Sequence, residues 1–492
     1  MPDQNGKSAT AVAGADGPVV TGLFDGVFAR GPHPGGAAVA DDAAWLRSML
    51  AAEAALARAL ERAGLAPAGA GAAVTRAANA GDFGPADLAE LRQATALTGN
   101  PVPGLARVLT RRVADPALRS AVHHGATSQD IMDTAAMLLA RDALGAALGD
   151  LTAAADAAAG LAAAHRGTLM IGRTLLQQAV PVTFGVFAAG WLAGLDSAVE
   201  GLAFVRGTRL AVQFGGAAGT LASLGGDGSR VRALMAEELG LADPPLPWHT
   251  ERLRIIDVAV AAARACAALS KVARDVTLLA QTEVGEVSEG AGAQDSPAGA
   301  GGTRRGGSSA MPNKNNPVAA VAILGCAKQA PGLLATLVAC EEQEYQRAAG
   351  AWHAEWQPYG HLLQLAVSSA AWARDLLGHL EVDPARMTAN LNAAGGLPLA
   401  EHVTALLRGS LGGPRAHDLV AAAAARSASS GVPFRDVLLA TPEIERAGVS
   451  PAQVEDALDP AGYLGAADDF ITAALAAHAA AAGASAGIEE DC

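Results

Sequence analysis

The sequence predicts an all-α protein, with an elongated central bundle of five long helices and smaller helical N- and C-terminal domains. Apolar residues make up 51% of the 492 residues, so the chain can bury a sizeable core. Aromatic residues make up only 4%, and a core filled by alanine and glycine suits closely packed helices better than a β-sandwich. Helix-forming segments of roughly 30 residues then recur through the middle of the chain.

The N-terminal part is expected to combine a mobile tail with a small helical domain. Residues 1–20 are small, polar and glycine-bearing, and they are assigned to the tail. The domain is predicted over 21–112, and its first helix between Asp41 and Leu65, where leucines recur at helical spacing. Prolines divide the remainder into short helices and turns: Pro67, Pro85, Pro101 and Pro103.

The central domain is predicted over 113–382. Its long helices are expected at 130–166, 179–207, 252–288, 317–345 and 352–380. At about 1.5 Å per residue, each would be about 45 Å long. Pro181 is expected in a first helical turn, whereas Pro331 and Pro358 are expected to kink their helices. No series of strands is expected, and alanine-rich stripes on several sides indicate burial against other subunits.

After the bundle, the chain is expected to form a smaller domain over 383–480. This domain opens at DPARMTANL and consists of short helical segments. The last residues, 481–492, are mostly small or acidic and are assigned to a disordered tail.

Charge and composition exclude several classes of function. The formal net charge of −14 argues against general nucleic-acid binding, because a basic surface is needed to neutralise phosphates. The 4 cysteines show neither CxxC spacing nor a disulfide framework, and no His-x-x-x-His spacing occurs, so neither a metal nor another cofactor is expected. The sequence shows no secretory signal and no apolar run long enough for a bilayer, which predicts a soluble cytoplasmic protein.

The most unusual segment is 291–318, AGAQDSPAGAGGTRRGGSSAMPNKNNPV, which separates two long helices. By composition alone it could be a flexible linker. Its end instead favours an anion-binding helix start, because Pro317 suits a first helical turn and Lys314 adds a cation. Gly306 and Gly307 allow the backbone to wrap closely around a ligand and to expose Ser308. The segment carries neither a dinucleotide-binding fingerprint nor a Walker A sequence.

Three motifs resemble those of the fumarase/aspartase/adenylosuccinate lyase superfamily. The segment 307–317, GSSAMPNKNNP, matches every fixed position of the superfamily's signature loop GSSxMPxKxNP. The segment 123–130, HHGATSQD, resembles HxGxTSxD, and 172–174, GRT, resembles the start of GRTH. The resemblance covers nearly the whole chain. Further segments resemble the carboxymuconate cycloisomerase branch: 99–105, 123–135, 172–185, 247–255 and 348–357.

The resemblance implies an elimination reaction, in which a proton leaves the carbon beside a carboxylate and a leaving group departs from the neighbouring carbon. It implies that Ser308 is the base, surrounded by N–H donors and a cation, and that Lys314 and Asn316 stabilise the doubly charged intermediate. Hydroxyl side chains at helix N-termini are expected to bind the substrate carboxylates: Thr127, Ser128 and Thr174.

Other residues in or near these motifs are candidate substrate-binding residues: Asn100, His123, Gln129, Arg173, Arg252, Met311, Asn313 and Arg347. The three arginines are candidate carboxylate clamps, and a surface salt-bridge role is an open alternative for each of them. His249 and His353 lie in the segments that resemble the carboxymuconate cycloisomerase branch. Each is either close to the active site or has its polar groups bound elsewhere in the protein. The resemblance also implies a homotetramer with a twenty-helix core, in which each active site combines segments from three chains.

Two departures from the superfamily pattern narrow the substrate. The loop commonly reads MPHKRNP in this branch, and here Asn313 and Asn315 replace the histidine and the arginine. The histidine after GRT, a general acid in many members, is Leu175 here, and the later Gln178 cannot donate a tunable proton either. A poor leaving group needs such a proton in the transition state, whereas the anion of a strong acid departs unassisted.

These departures favour a carbon–nitrogen lyase that acts on a small succinate-type dicarboxylate and gives fumarate. The best prediction is the conversion of nitrosuccinate to fumarate and nitrite. The alternative is 3-carboxy-cis,cis-muconate cycloisomerase, in which a carboxylate is the leaving group. Adenylosuccinate- or aspartate-type lyases come third, since they would lack the acid, and an inactive structural relative is a further alternative.

Overall fold

The computed structural model describes residues 22–31, 39–290, 306–307, 311 and 314–489, with the backbone alone at 482 and 484–489. Most of these residues are helical, which confirms the all-α fold class. The predicted N-terminal tail, 1–20, lies outside the described residues. The last helix reaches Glu489 and therefore overlaps the segment 481–492 that was assigned to a C-terminal tail.

The secondary structure begins with five helices: α1 (Asp25–Phe28), α2 (Asp42–Ala63), α3 (Ala70–Ala77), α4 (Pro85–Thr98) and α5 (Val102–Arg112). The middle of the chain contains α6 (Ser128–Ala164), β1 (Leu169–Thr174), β2 (Gln177–Thr183), α7 (Phe184–Thr208), α8 (Gly228–Leu239), α9 (Leu253–Leu279), β3 (Val287–Glu289), α10 (Val318–Ala339), α11 (Ala351–Gly378) and β4 (Leu380–Val382). The C-terminal part contains α12 (Pro384–Ala393), α13 (Ala400–Leu411), α14 (Gly413–Ser430), α15 (Phe434–Leu439), α16 (Pro442–Arg446), α17 (Pro451–Ala457) and α18 (Ala467–Glu489).

Five long helices occupy the five segments predicted for the central bundle: α6, α7, α9, α10 and α11. Their lengths are 37, 25, 27, 22 and 28 residues. Two of them end well before their predicted ends of 288 and 345, α9 at Leu279 and α10 at Ala339. Pro331 and Pro358 lie inside α10 and α11, and both helices continue past them.

Two short antiparallel strand pairs correct the expectation of a purely helical middle. β1 and β2 form a hairpin that closes where Thr174 pairs with Gln177. Pro181, expected in a first helical turn, lies instead in β2 opposite Ile171, and α7 begins only at Phe184. Valines on both sides of Pro181 favour an extended backbone, and proline is tolerated in a strand at a sheet edge. β3 and β4 form the second pair.

The chain folds into two compact units. The first unit draws its residues from Met1–Ala146, Thr208–Ala259 and Leu333–Ser368. The second unit draws its residues from Ala147–Gly207, Val260–Gly332 and Ser369–Cys492.

In the first unit, α2 packs against α3 and α8. The carboxylate of Asp41 accepts a hydrogen bond of 2.8 Å from the Ala44 backbone N–H and so caps the start of α2. Gly64 ends the helix in the left-handed conformation, with φ of 80°. Between these caps α2 buries Leu50, Leu56 and other apolar side chains, each worth roughly 2 kcal/mol.

In the second unit, α7 begins with an aromatic cluster. The ring centroids of Phe184, Phe187 and Trp191 lie 5.4, 5.8 and 6.3 Å apart. The C-terminal helices form a separate core from side chains of α13 to α17: Val403, Leu407, Val420, Phe434, Leu438 and Val454. The long helices and the C-terminal helices therefore have distinct sets of core residues.

Two of the long helices, α7 and α10, are apolar enough by length and composition to cross a membrane, with mean hydropathies of 1.2 and 1.5 over 18 residues. Core helices of soluble proteins have the same property. α7 also carries Asp196, Glu200 and Arg206, and α10 carries Lys328. Because a charged side chain in a bilayer centre costs about 2.5–3.5 kcal/mol or more, we interpret both as core helices.

Candidate active site

A buried carboxylate lies beneath the start of α6, in the motif HHGATSQD. Asp130 accepts hydrogen bonds of 2.9–3.0 Å from the backbone N–H groups of Thr127, Gly215 and Gly216 and from the amide of Gln213. Burial raises the pKa of Asp130 to about 6, and the four donors limit this rise. The carboxylate thereby fixes the loop 213–216 against the first turn of α6.

The predicted carboxylate-binding residues Thr127 and Ser128 lie where α6 begins. Both are half-buried, and α6 continues for 37 residues behind them. The positive end of the helix dipole lies at this start, and such a helix start is a ready binding site for an anion. The geometry is therefore compatible with the predicted role of both residues.

Arg347 brings a cation to the same place. Its Nη1 donates to the side-chain oxygen of Gln129 at 2.5 Å, its Nε donates to the Ala217 carbonyl at 3.2 Å, and its Nη2 contacts the Gly216 carbonyl. Three of the five N–H groups that a guanidinium carries thereby have acceptors among the described residues. The other two have no acceptor among the described residues, which is compatible with the predicted clamp role.

Arg252, unlike Arg347, belongs to a buried group of ion pairs. It is buried and donates to Asp133 at 2.7 and 3.0 Å and to Glu355 at 2.7, 3.0 and 3.2 Å. A further N–H faces the Trp248 carbonyl at 3.5 Å. This geometry does not support the predicted role of Arg252 as a substrate clamp, because its donors are already used inside the first unit. The alternative role, a salt bridge, is the one that the contacts describe, although the bridge is buried and not at the surface.

His123 is held by a buried glutamate of α2. Its Nδ1 lies 2.7 Å from one oxygen of Glu53, and its backbone N–H donates to the other oxygen at 3.1 Å. Burial alone would lower the pKa of His123, but the hydrogen bond and the negative charge of Glu53 outweigh it and raise the pKa. The pair fixes the backbone just before residues 127–130, the TSQD segment. His123 itself adopts the left-handed conformation with φ of 57°.

His249 also lies in this part of the first unit. Its backbone carbonyl accepts a hydrogen bond of 2.6 Å from the side-chain amide of Gln129. Its ring is buried, and its Nδ1 has no hydrogen-bond partner among the described residues. Burial and the positive charge of Arg347 lower the pKa of His249, so the ring is neutral at pH 7.

Asn100 has a local role. It follows Gly99, the end of α4, and its side-chain oxygen accepts a hydrogen bond of 3.1 Å from the Val102 backbone N–H at the start of α5. Its side-chain nitrogen lies 3.5 Å from the Thr98 carbonyl. This side chain therefore shapes the turn between the two helices, and substrate binding by Asn100 stays a prediction.

The GRT segment lies at the tip of the β1–β2 hairpin, in the second unit. Arg173 donates to both carboxylate oxygens of buried Glu286, at 2.7 and 2.9 Å, and Asn390 donates to the same carboxylate at 2.8 Å. Thr174 is exposed at the tip. The turn itself consists of Leu175 and Leu176, both in the left-handed conformation and 96% and 72% exposed. Arg173 thus anchors the hairpin and leaves the tip projecting.

The base of the signature loop is closed by a tight backbone pairing. The backbone N–H and the side-chain amide of Asn316 donate to the Gly306 carbonyl at 2.8 and 3.0 Å, and Gly307 pairs with Asn315. A side chain at Gly306 would approach the Asn316 carbonyl to 2.3 Å, so only glycine fits there. The close approach at Gly306 is between two parts of the loop itself, and the expectation that the glycines wrap around a ligand and expose Ser308 stays a prediction.

Among the described residues of this loop, the exposed side chains are Met311, Lys314 and Asn315, and Met311 is 48% exposed. Ser308 and Asn313 lie outside the described residues. The predicted anion-binding start of α10 holds an internal anion instead, because Glu289 accepts hydrogen bonds from Ala319 and Ala320 at 3.1 and 2.9 Å. This corrects the expectation that the start of α10 binds an external anion.

Three buried acidic residues that hold these segments were not found from the sequence: Glu53, Glu286 and Glu289. Asp130 belongs to the motif HHGATSQD, and an acidic residue three positions after a threonine is also a capping pattern. Among the described residues, no group of three or more histidine, cysteine, aspartate or glutamate side chains could hold a metal ion.

In the first unit, the start of a long helix with an arginine beside it defines a helical protein that can bind a small anion. The family model described as "Lyase" matches residues 38–332, and the model described as "Adenylosuccinate lyase C-terminus" matches residues 396–474. The chain belongs to this lyase family, within the fumarase/aspartase superfamily.

Known relatives and a solved structure match nearly the whole chain. The chain is 44% identical over 467 residues to the nitrosuccinate lyase of Streptomyces davaonensis, covering 93% of this chain and 95% of the relative. It is 43% identical over 436 residues to the 3-carboxy-cis,cis-muconate cycloisomerase of Bradyrhizobium diazoefficiens, covering 88% and 94%. The crystal structure of the 3-carboxy-cis,cis-muconate lactonizing enzyme from Pseudomonas putida is similar with a TM-score of 0.84 and 38% identity, covering 94% and 99%.

Proposed function

We propose that this lyase converts nitrosuccinate to fumarate and nitrite. The observation that carries the proposal is the exposed hairpin tip, where Leu175 stands in place of the histidine that is the general acid in many superfamily members. A nitrite ion needs no proton to depart, because it is the anion of a fairly strong acid, whereas ammonia and hydroxide leave poorly without one. The relative named nitrosuccinate lyase supports the same substrate.

In the proposed reaction, Ser308 takes the proton from the carbon beside one carboxylate. The electron pair of that C–H bond forms the double bond of fumarate, and the C–N bond breaks with its electron pair going to nitrite. Lys314 and Asn316 stabilise the negative charge that builds up on the carboxylate before the leaving group departs. Thr127, Ser128 and the remaining N–H groups of Arg347 are proposed to bind the substrate carboxylates. Thr174, Met311 and Asn313 are further candidates for substrate binding.

The second candidate function is 3-carboxy-cis,cis-muconate cycloisomerase. Relatives from Bradyrhizobium diazoefficiens and Pseudomonas aeruginosa that carry this name are both 43% identical to the chain, which favours it. Its leaving group is a carboxylate, which also departs without a histidine. The substitution of Asn313 and Asn315 for the branch's histidine and arginine favours the smaller dicarboxylate, because a tricarboxylate would gain from additional positive charge.

We further propose a homotetramer with a twenty-helix core that acts in the cytoplasm. Long helices expose large apolar side chains, including Phe204 of α7 and Val321 and Val338 of α10, which would be covered in such a core. Only 39% of the apolar windows of α7 and α10 is buried within the single chain. Each active site is proposed to combine the TSQD, GRT and GSS segments of three chains.

The test is a product assay with nitrosuccinate. Fumarate is followed by its ultraviolet absorbance and nitrite by a colorimetric reaction, and equal amounts of both are expected. The variant Ser308→Ala should lose this activity by several orders of magnitude, whereas Ser309→Ala should keep most of it. If Ser309→Ala abolished the reaction and Ser308→Ala did not, the base would be misassigned. If neither product formed with the unaltered enzyme, the proposed substrate would be wrong.

A further inference from the structure

Hydrogen bonds fix the backbone at His249, and Gly219 lies close to its ring, within the first unit. The preceding residue, Trp248, donates its backbone N–H to the Gln213 side chain at 2.7 Å, and the carbonyl of His249 accepts from Gln129 at 2.6 Å. A side chain at Gly219 would lie 2.6 Å from Cε1 and 3.1 Å from Nε2 of the ring. The loop that includes Gly219 therefore leaves just enough space for this imidazole, which is 8% exposed.

The charge state and the tautomer of His249 follow from its surroundings. Burial lowers its pKa first, and Arg347 and Arg252 lower it further against the opposing effect of Asp133. A neutral imidazole carries one N–H group. Nδ1 is buried without a partner among the described residues, so a proton there would leave a buried donor unsatisfied. The proton is therefore favoured on Nε2, which makes this ring nitrogen a donor.

The groups near His249 indicate which kind of ligand its Nε2–H could bind. Gln129 joins His249 to Arg347, because its amide donates to the His249 carbonyl and its oxygen accepts from the Arg347 guanidinium. Gln129 is itself the second residue of α6, directly after Ser128. A helix start, a cation and a neutral N–H donor thus lie together, and each of them favours an anion with oxygen acceptors.

We propose that His249 binds one carboxylate of the substrate by donating its Nε2–H, beside Arg347 and the start of α6. This inference rests on the proposed function only in that the substrate is a small dicarboxylate, and it holds for any leaving group. A neutral donor adds a hydrogen bond without bringing a second full charge next to Arg347. His249 makes the same contact in the bound substrate and in the transition state, so it contributes to binding more than to turnover.

Succinate is the probe for this role, because it has both carboxylates and no leaving group. Its Kd is measured by titration calorimetry for the unaltered protein, His249→Leu and His249→Gln. His249→Leu should weaken succinate binding by about tenfold or more, the range for a hydrogen bond to a charged group. His249→Gln keeps an N–H donor of similar reach and should recover part of the affinity. Thermal unfolding of each variant checks that the fold is intact.

Steady-state kinetics with nitrosuccinate give the second readout. His249→Leu should raise KM by about the same factor as the Kd for succinate, with kcat changed by less than about threefold. A fall in kcat with unchanged succinate binding would overturn the proposal and place His249 at the leaving group. Absence of succinate binding by the unaltered protein, or an equal Kd in His249→Leu, would also overturn it. If nitrosuccinate is not converted but succinate binding still depends on His249, only the proposed substrate fails.

Discussion

At the scale of single residues, buried charged side chains around the start of α6 have partners that determine what they can do. Arg252 illustrates this, since its guanidinium is shared between Asp133 and Glu355 in the first unit. Removing one member of a buried ion pair leaves an uncompensated charge in a medium of low polarity. Such a residue supports the site by holding three chain segments together, and it does not need to touch the substrate.

Arg252→Met should therefore lower the free energy of unfolding by about 3–5 kcal/mol, as measured by denaturant or thermal unfolding. The control is Arg92→Met, because the ion pair of Arg92 with Asp42 is mostly exposed and contributes about 1 kcal/mol or less. If Arg252→Met unfolded like the unaltered protein and showed only a raised KM, Arg252 would be a substrate clamp after all.

The Glu53–His123 pair should make stability depend on pH. In the folded protein, Glu53 raises the pKa of His123. The interaction of protonated His123 with Glu53 therefore stabilises the fold fully below the pKa of an unfolded histidine, about 6.5. This contribution is lost as pH rises through the raised pKa. The difference in melting temperature between the unaltered protein and Glu53→Gln should be largest near pH 6 and shrink toward pH 9. The exposed pair of Glu90 and Arg111 provides the control Glu90→Gln, for which no such trend is expected. A difference that does not change with pH would contradict a charged pair.

At the scale of elements, the β1–β2 hairpin combines an unfavourable turn with an exposed apolar tip. Two-residue turns of this conformation favour Asn-Gly, and a left-handed leucine costs roughly 1–2 kcal/mol. Leu175 and Leu176 nevertheless occupy the turn with φ of 50° and 66°. Strain of this kind is commonly kept where it serves function.

Replacing the tip by Leu175→Asn together with Leu176→Gly should leave the melting temperature unchanged or raise it, because both substitutions suit the turn. Turnover should fall at least about tenfold, since we propose that the tip forms part of an active site. The control is Leu246→Asn, an exposed leucine of the first unit for which no change in turnover is expected. Full activity in the double variant would remove the hairpin tip from the site.

The elements differ in how well the sequence predicts them. α2 was predicted between Asp41 and Leu65 and is observed at Asp42–Ala63, because a capping aspartate and a C-terminal glycine mark its ends. The β1–β2 hairpin was missed, because leucines occupy the turn where Asn-Gly would have signalled it. Helical periodicity reports on local structure, and it cannot identify a strand pair with an atypical turn.

The same limit applies to the candidate site. The residues of the TSQD segment were predicted from a motif, and the structure places Gln129 and Arg347 in contact. The partners of His123 and Arg173 could not be predicted, since Glu53 and Glu286 lie 70 and 113 residues away in sequence. A sequence shows which residues can carry charge, but the fold determines whether an arginine binds a substrate or a buried glutamate.

At the scale of the whole molecule, the motifs are divided between the two units, with TSQD in the first and GRT and GSS in the second. If each site combines these segments from three chains, Ser308→Ala and Thr127→Ala should complement each other. Mixed and refolded together, the two inactive variants should recover activity in up to about one quarter of their sites, as random assembly of four subunits predicts. Each variant refolded alone is the control. A fully active monomer in sedimentation experiments would contradict the shared site.

The central claim is that the absence of a proton donor at the hairpin selects a substrate whose leaving group departs as a stable anion. The most direct test is the ratio of kcat/KM values for nitrosuccinate and 3-carboxy-cis,cis-muconate, measured in parallel with aspartate and malate. The expected result is a kcat/KM at least about tenfold higher for nitrosuccinate, with no turnover of aspartate or malate. A preference for carboxymuconate would make the protein a cycloisomerase, and efficient turnover of aspartate or malate would contradict the claim itself.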